Sequence, residues 1–310
     1  MIKHFINLKD IPALDLRKII LDAKKRKLKR KNLNTLDVDK DNPLKGKLLI
    51  QMFEKASSRT RLSFHLAIKQ LGGGTITIKA NELHLGKGGE SLADTAKILS
   101  TYGDGFMLRA DSDKKIEEFS KYLSIPIING LSPSSHPTQV LSDIFTVEEI
   151  KNKPISKLNI CWIGDSNNVL NSLIAASVKF SFNLTIGCPK NYEPKKFVID
   201  WVKKNKKKIK IYNDPEKAVK NADIIFSDKV FSLNDKVNKL KKIKDFKNFQ
   251  INSKLMSLAK KNATFLHCLP RGSEVSDEVF LGKQSRVWQQ ALNRVHVQKS
   301  ILLYCFGKLR

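Results

Sequence analysis

Short apolar, β-branched runs alternate along the chain with longer stretches whose apolar residues recur at helical spacing. That alternation is the mark of parallel sheets joined by crossover helices. In the first half it predicts strands at residues 48–52, 75–78, 105–108 and 125–128. In the second half it predicts them at 158–163, 184–187, 224–227 and 264–267, with 209–212 also strand-like. Helical spacing runs from 62 to 71, from 138 to 151 and, after the final strand, from 291 to 304. The expected fold class is α/β, with two domains, each a mostly parallel sheet flanked by helices. The polar Asn152-Lys153-Pro154 ends the middle helix and sets the division. A first domain is expected over 1–150 and a second over 151–310, with a terminal helix, about 290–310, packing back on the first.

Length supports the division, because 310 residues are too many for one small core. Hydrophobic residues make up 41%, enough for packed interiors. No apolar run reaches the ~20 residues of a membrane span, so no membrane partner is expected. The N-terminal residues lack a long apolar segment, so a secretory signal is not expected either. The four cysteines are scattered and form no C-x-x-C pair. Disulfides and a zinc site are therefore not expected, and the reading is a cytoplasmic protein.

Charge changes the picture less than its size suggests. A net charge of +27 and a pI near 9.9 would ordinarily raise nucleic-acid binding. The lysines, however, are spread along the whole chain, and the densest run, 203–210, has no aromatic residues interleaved as a base-stacking platform needs. Solvated helix faces and a general attraction for anionic substrates are the better reading, with no specific nucleic acid.

Candidate chemistry collects at the carboxyl ends of the expected strands, where parallel sheets bind ligands. After residues 48–52 comes Phe53-Glu54-Lys55-Ala56-Ser57-Ser58-Arg59-Thr60-Arg61, at a strand-to-helix junction. The first N–H groups of a helix lack partners and carry the positive end of its dipole, and arginine adds a fork that fits phosphate oxygens. The segment reads as a phosphate site, and its bland alternative is an ordinary hydroxyl cap. Arg109 follows the third strand, and His136-Pro137-Thr138-Gln139 opens the middle helix. Gly164-Asp165-Ser166-Asn167-Asn168 follows the fifth strand, Asp228 closes 224–227, and Cys268-Leu269-Pro270-Arg271 follows 264–267. Taken singly, Arg109 could be a strand-end ion-pair partner, His136 and Asn168 helix starts, and Cys268 a small core residue.

Together these segments resemble the aspartate/ornithine carbamoyltransferase family. Ser57-Ser58-Arg59-Thr60-Arg61 is similar to its S-x-R-T-R signature, and His136-Pro137-Thr138-Gln139 to its H-P-x-Q. Gly164-Asp165 through Asn168 and His267-Cys268-Leu269-Pro270 are similar to the G-D-x-N-N and H-C-L-P of its ornithine branch. The resemblance covers nearly the whole chain. It implies transfer of a carbamoyl group from carbamoyl phosphate to the side-chain amine of L-ornithine, giving L-citrulline and phosphate. No metal and no cofactor are implied, since phosphate is already a good leaving group.

The resemblance also implies roles. Ser57, Ser58, Arg59 and Thr60 would hold the phosphate. Thr60, Arg109 and His136 would steady the oxyanion, Gln139 the carbamoyl NH₂, and Cys268, Leu269 and Arg294 would complete the carbamoyl-phosphate site. His84 would reach a neighbouring subunit's site, which implies a homotrimer with active sites at subunit interfaces. Asn168, Asp228, Ser232 and Leu233 would bind ornithine. Cys268 with Asp228 would orient the attacking amine, so Arg109, His136, Cys268 and Thr60 form the expected catalytic set.

The pattern departs in places. Ser232-Leu233-Asn234 stands where the ornithine branch has S-M-G, and Val230 where it has tryptophan. Leucine for methionine keeps volume and polarity, whereas asparagine for glycine loses some freedom at positive φ. An extra residue falls in Lys87-Gly88-Gly89-Glu90-Ser91, and Leu292 replaces a glutamate without a physical account. The changes at 230–234 touch the acceptor, and the extra residue bears on the reach of the His84 loop. Putrescine, a modified ornithine or aspartate stay open as alternatives, with aspartate disfavoured by Cys268 and the acidic Asp228. A basic nucleic-acid-binding protein on an inactive fold is the remote alternative.

Overall fold

The computed structural model describes residues 2–79, 89–231 and 239–309. The chain forms two compact units, Met1–Phe145 with Leu292–Arg310, and Thr146–Ala291. It passes from the first to the second within one helix and returns within another.

In the first unit α1 (Ala13–Lys29) is followed by β1 (Leu48–Phe53), α2 (Ser58–Gln70), β2 (Gly74–Lys79), α3 (Leu92–Tyr102), β3 (Gly105–Arg109), α4 (Asp113–Tyr122), β4 (Ile127–Leu131) and α5 (Pro137–Lys151). The strands form one sheet in the order β2-β1-β3-β4, every pair parallel. β1 and β3 lie inside the sheet, so their side chains are buried on both faces; this is why they read as nearly continuous apolar runs, interrupted in β1 by buried Gln51. On one face Phe106 and Phe119 pack with ring centroids 5.3 Å apart, among Ile50, Met52 and Leu108. Full burial of each such side chain contributes about 1.5–3 kcal/mol.

The second unit runs β5 (Asn159–Ile163), α6 (Asn168–Lys179), β6 (Asn183–Gly187), α7 (Lys196–Lys204), β7 (Lys210–Tyr212), α8 (Pro215–Val219), β8 (Ile224–Ser227), α9 (Lys239–Phe246), α10 (Ser253–Ser257), β9 (Thr264–His267), α11 (Asp277–Phe280) and α12 (Val287–Cys305). Its sheet, in the order β7-β6-β5-β8-β9, is again parallel throughout. The α/β class with two parallel sheets is thus as expected. No helix among the described residues is long and apolar enough to cross a membrane.

Several boundaries differ from expectation. The fourth strand is Ile127–Leu131 and not 125–128. Pro126 has no N–H to give to a ladder, although its carbonyl accepts from Phe106. Downstream, Asn129 and Gly130 hid the strand. Asn129 is buried and donates its amide to the Ile6 carbonyl and the Ser132 hydroxyl. α2 starts at Ser58, not near 62, and α12 at Val287, not 291. α1 was not foreseen: its buried stripe Leu16, Ile19, Ile20 and Ala23 is diluted by basic residues and by exposed Leu14, Leu21 and Leu28.

The C-terminal part of α12 belongs to the first unit, as the expected return of the terminal helix requires. Fully buried Lys299 there bonds Asp39 at 2.7 Å, and the same carboxylate takes Arg30 at 2.8 Å and Arg26 at 3.0 Å. Burial opposes the charge of Asp39, yet these cations hold its carboxyl below the usual range. Burial lowers Lys299 to about 8 against the pull of Asp39.

Candidate active site

In the first unit the chemistry starts where β1 ends. Ser57 has extended backbone and caps α2, its hydroxyl accepting from the Thr60 N–H at 3.4 Å. The helix therefore begins inside the predicted phosphate segment, which puts Ser58, Arg59 and Thr60 in its first turn. That is where unpaired N–H groups and the positive dipole end lie. Thr60 is buried, and its hydroxyl accepts from Arg294 Nη2 at 3.0 Å. The bond spans 234 positions of sequence and ties α12 to the start of α2.

Arg109 ends β3, and its carbonyl accepts from the Glu54 N–H at 3.0 Å. Glu54 in turn accepts from the Asp111 N–H at 2.8 Å and from Lys115 Nζ. The acid thus braces the end of β1, which leads toward Arg59, against the end of β3, which carries Arg109. No role was expected for Glu54; an acid directly after an apolar strand was the available signal.

His136 precedes α5 and gives its carbonyl to the Val140 N–H, with Pro137 as the first helical residue. The loop before it is fixed by Asp113, which accepts from the hydroxyls of Ser132 and Ser134. His136 is buried, and burial lowers its pKa well below the usual 6.5, followed by the positive charges of Arg294, Arg109 and Arg59. The imidazole is therefore neutral at pH 7. Its position among those guanidiniums brings together residues far apart in sequence. One turn on, buried Gln139 donates to Asp143 at 2.8 Å, while its Oε1 accepts nothing among the described residues. Thr138, equally buried, likewise has an unpartnered hydroxyl.

The second unit holds most of the residues expected to bind the acceptor. Gly164, at φ +145°, turns the chain out of β5 with its N–H on the Gly187 carbonyl, a backbone state that L side chains rarely adopt. Buried Trp162 donates its indole N–H to the Asp165 carbonyl at 3.2 Å, and buried Lys242 bonds the Asp165 carboxylate at 2.6 Å. The cap of α6 is Asn167 and not Asn168: its Oδ1 accepts from the N–H groups of Val169 and Leu170, both at 3.0 Å. Its Nδ2 donates to Asp228 at 2.7 Å. Asn168 is the first helical residue, half-buried. Asp228 also accepts from the Lys229 N–H at 2.7 Å and from the Cys268 thiol at 3.0 Å. Asn167 was missed as a site residue because two adjacent asparagines carry equal signals in sequence.

The structure thus brings Ser57, Ser58, Arg59, Thr60, Arg109, His136, Gln139 and Arg294 into one unit, and Asn168, Asp228, Cys268 and Leu269 into the other. His84, Ser232 and Leu233 lie outside the described residues. Among the described residues no group of three or more His, Cys, Asp or Glu side chains is arranged to hold a metal ion.

Known proteins carry the same pairing of domains. The carbamoyl-P binding domain of aspartate/ornithine carbamoyltransferase matches residues 3–149, and the Asp/Orn binding domain of that family matches 156–305. The ornithine carbamoyltransferase of Brucella abortus is 44% identical over 306 residues, covering 98% of this chain and 96% of the relative. That of Rhodopseudomonas palustris is 43% identical over 309 residues, with 99% and 97% covered. Among solved structures, ornithine carbamoyltransferase from Pyrococcus furiosus superposes with a TM-score of 0.91 at 38% identity, covering 98% and 97% of the two chains. The anabolic enzyme from Campylobacter jejuni gives 0.88 at 35%, with 99% of each chain covered. With both domain families matched in order and such relatives aligned end to end, the chain belongs to the aspartate/ornithine carbamoyltransferase family.

Proposed function

We propose that this protein transfers the carbamoyl group of carbamoyl phosphate to the side-chain amine of L-ornithine, forming L-citrulline and phosphate. The observation that carries this reading is the surround of His136: a buried neutral imidazole among Arg59, Arg109 and Arg294, one turn from an unpartnered Gln139 amide oxygen. A ligand suited to it presents an anion, a polarisable carbonyl and an N–H donor in one small molecule. Carbamoyl phosphate has those three parts.

Each residue then has a task. Ser57, Ser58, Arg59 and Thr60 bind phosphate at the α2 terminus. Arg109, His136 and Thr60 donate to the carbonyl oxygen as it gains negative charge, a role worth several kcal/mol in comparable sites. A neutral His136 can donate without adding to the positive charge around it. Gln139 Oε1 accepts from the carbamoyl NH₂. Arg294 holds Thr60 in place, and Leu269 and Cys268 complete the site. On the acceptor side, Asp228 pairs with the cationic α-amine, and Asn168, Ser232 and Leu233 hold the rest of the amino acid. Cys268 with Asp228 orients the δ-amine. The uncharged amine nitrogen attacks the carbonyl carbon, the carbon–oxygen bond to phosphate breaks, and phosphate leaves with the amine's proton.

The family resemblance extends the reading to a cytoplasmic homotrimer with His84 completing a neighbouring site. Sedimentation of the purified protein checks the assembly: a monomer at micromolar concentration overturns it. The activity itself is checked by supplying carbamoyl phosphate with a panel of amines and measuring ureido product. Ornithine is expected to give citrulline. Product with putrescine alone would move the acceptor assignment, and no product with any amine would defeat the enzyme reading.

A further inference from the structure

His267 and Glu274 form a buried pair that the catalytic roles above do not use. Both are almost fully buried. His267 Nε2 lies 3.1 Å from Glu274 Oε1, and His267 Nδ1 accepts from the Leu269 N–H at 2.9 Å. An imidazole that accepts at Nδ1 must donate at Nε2, which makes it the neutral Nε2–H tautomer. The Gly272 N–H also donates to Glu274 Oε1, and Glu274 Oε2 has no partner among the described residues. The carboxylate is therefore given over to the turn between 267 and 274. Burial opposes the charge of Glu274, but the bonds from His267 and Gly272 outweigh it and hold its pKa below the usual value.

What the pair supports is the acceptor loop. Leu269 has φ +61°, a strained state for leucine, and its N–H is the group that His267 holds. Directly before it, the Cys268 thiol reaches Asp228 at 3.0 Å. The His267 backbone N–H donates to Gln290 Oε1 at 2.9 Å, so the strand end that carries the ring is anchored as well. We infer that Glu274, acting through the fixed tautomer of His267, is a positioning residue that sets the backbone at Leu269 and so aims Cys268 and Asp228 at the acceptor amine. The inference rests on the carbamoyltransferase reading given above.

Two measurements test it. Protein labelled with ¹⁵N-histidine is expected to show His267, identified by the signals lost in His267→Gln, as the Nε2–H tautomer at pH 7. An Nδ1–H form or an imidazolium overturns the inference, with no need of a Glu274 variant. The kinetic arm separates reach from charge. Glu274→Asp, which withdraws the carboxylate by one bond, is expected to raise the acceptor KM about tenfold, and Glu274→Gln, which keeps an oxygen in reach, by no more than about threefold. Inhibition by inorganic phosphate, which reports the α2 terminus, is expected to stay within about twofold in both. An unchanged acceptor KM in Glu274→Asp, or an equal weakening of phosphate inhibition, overturns the positioning role. If wild-type protein forms no ureido product, the functional reading fails while the tautomer measurement still decides the pair.

Discussion

Each of the two units holds one half of the candidate residues, and the halves are built on opposite plans. In the first unit the phosphate half has guanidiniums around a buried neutral histidine, a helix that starts at Ser58, and a buried glutamine oxygen with no partner among the described residues. In the second unit the acceptor half is satisfied from within, since Asp228 already receives Asn167, the Lys229 N–H and Cys268. A buried acceptor left unpaired costs about 1–3 kcal/mol, which a ligand N–H recovers on binding. A satisfied carboxylate offers no such gain, because a ligand amine must share or displace existing bonds. On the proposed function, the first half suits tight capture of an anion and the second discrimination among amines.

Arg59→Ala strikes this contrast hardest. It removes a cation from the α2 terminus and from beside His136. A fall of about 10³-fold in kcat/KM for carbamoyl phosphate is expected, on the scale of about 4 kcal/mol for losing one partner of a buried charged contact. Steady-state kinetics with varied carbamoyl phosphate reads it, and near-normal values would place the phosphate elsewhere. Gln139→Leu asks whether the unpartnered oxygen serves the ligand. It is expected to lower kcat/KM about 10²-fold, with the acceptor KM nearly unmoved, because the lost bond is made to the carbamoyl NH₂. A shift confined to the acceptor KM would contradict the assignment.

The halves also differ in how much of them the sequence disclosed. β1 and β8 were legible as mostly apolar runs because interior parallel strands bury both faces. The residues around His136 were legible only through motif resemblance, since nothing local says that Arg59, Arg109 and Arg294 converge. The Arg294–Thr60 bond and the Lys299–Asp39 pair join positions 234 and 260 apart, and long-range pairing leaves no periodic trace. In the acceptor half, even short-range detail was hidden. Asn167 and Asn168 are equivalent as letters, and only helix geometry decides which one caps α6.

Asn167→Ala sharpens the comparison from that side. It removes the cap of α6 and a donor to Asp228 in one change. Stability is expected to fall by about 1 kcal/mol, the usual cost of a lost N-cap. Beyond that, the acceptor KM is expected to rise about tenfold while carbamoyl phosphate kinetics stay within twofold, as losing one bond to a charged group implies. Equal effects on both substrates would mean that the satisfied half is only a structural brace.

The smallest effect lies in the pH dependence of stability, and it tests whether the phosphate half really keeps a neutral histidine. His136 has a folded pKa well below the 6.5 of the exposed side chain, with burial as the largest cause and the nearby arginines next. Between the folded value and 6.5 the unfolded chain binds a proton that the folded protein does not. Stability from this group is therefore complete above pH 6.5 and is lost as the pH falls below it, by at most about 1.4 kcal/mol per pH unit for one proton. Denaturant unfolding of wild type and His136→Asn between pH 7.5 and 5.5 reads the difference in slope. The variant is expected to lose less stability on acidification. Parallel curves would mean that His136 takes up its proton in the folded state as readily as in the unfolded one, and the neutral donor assigned to the carbamoyl oxygen would have to be another group.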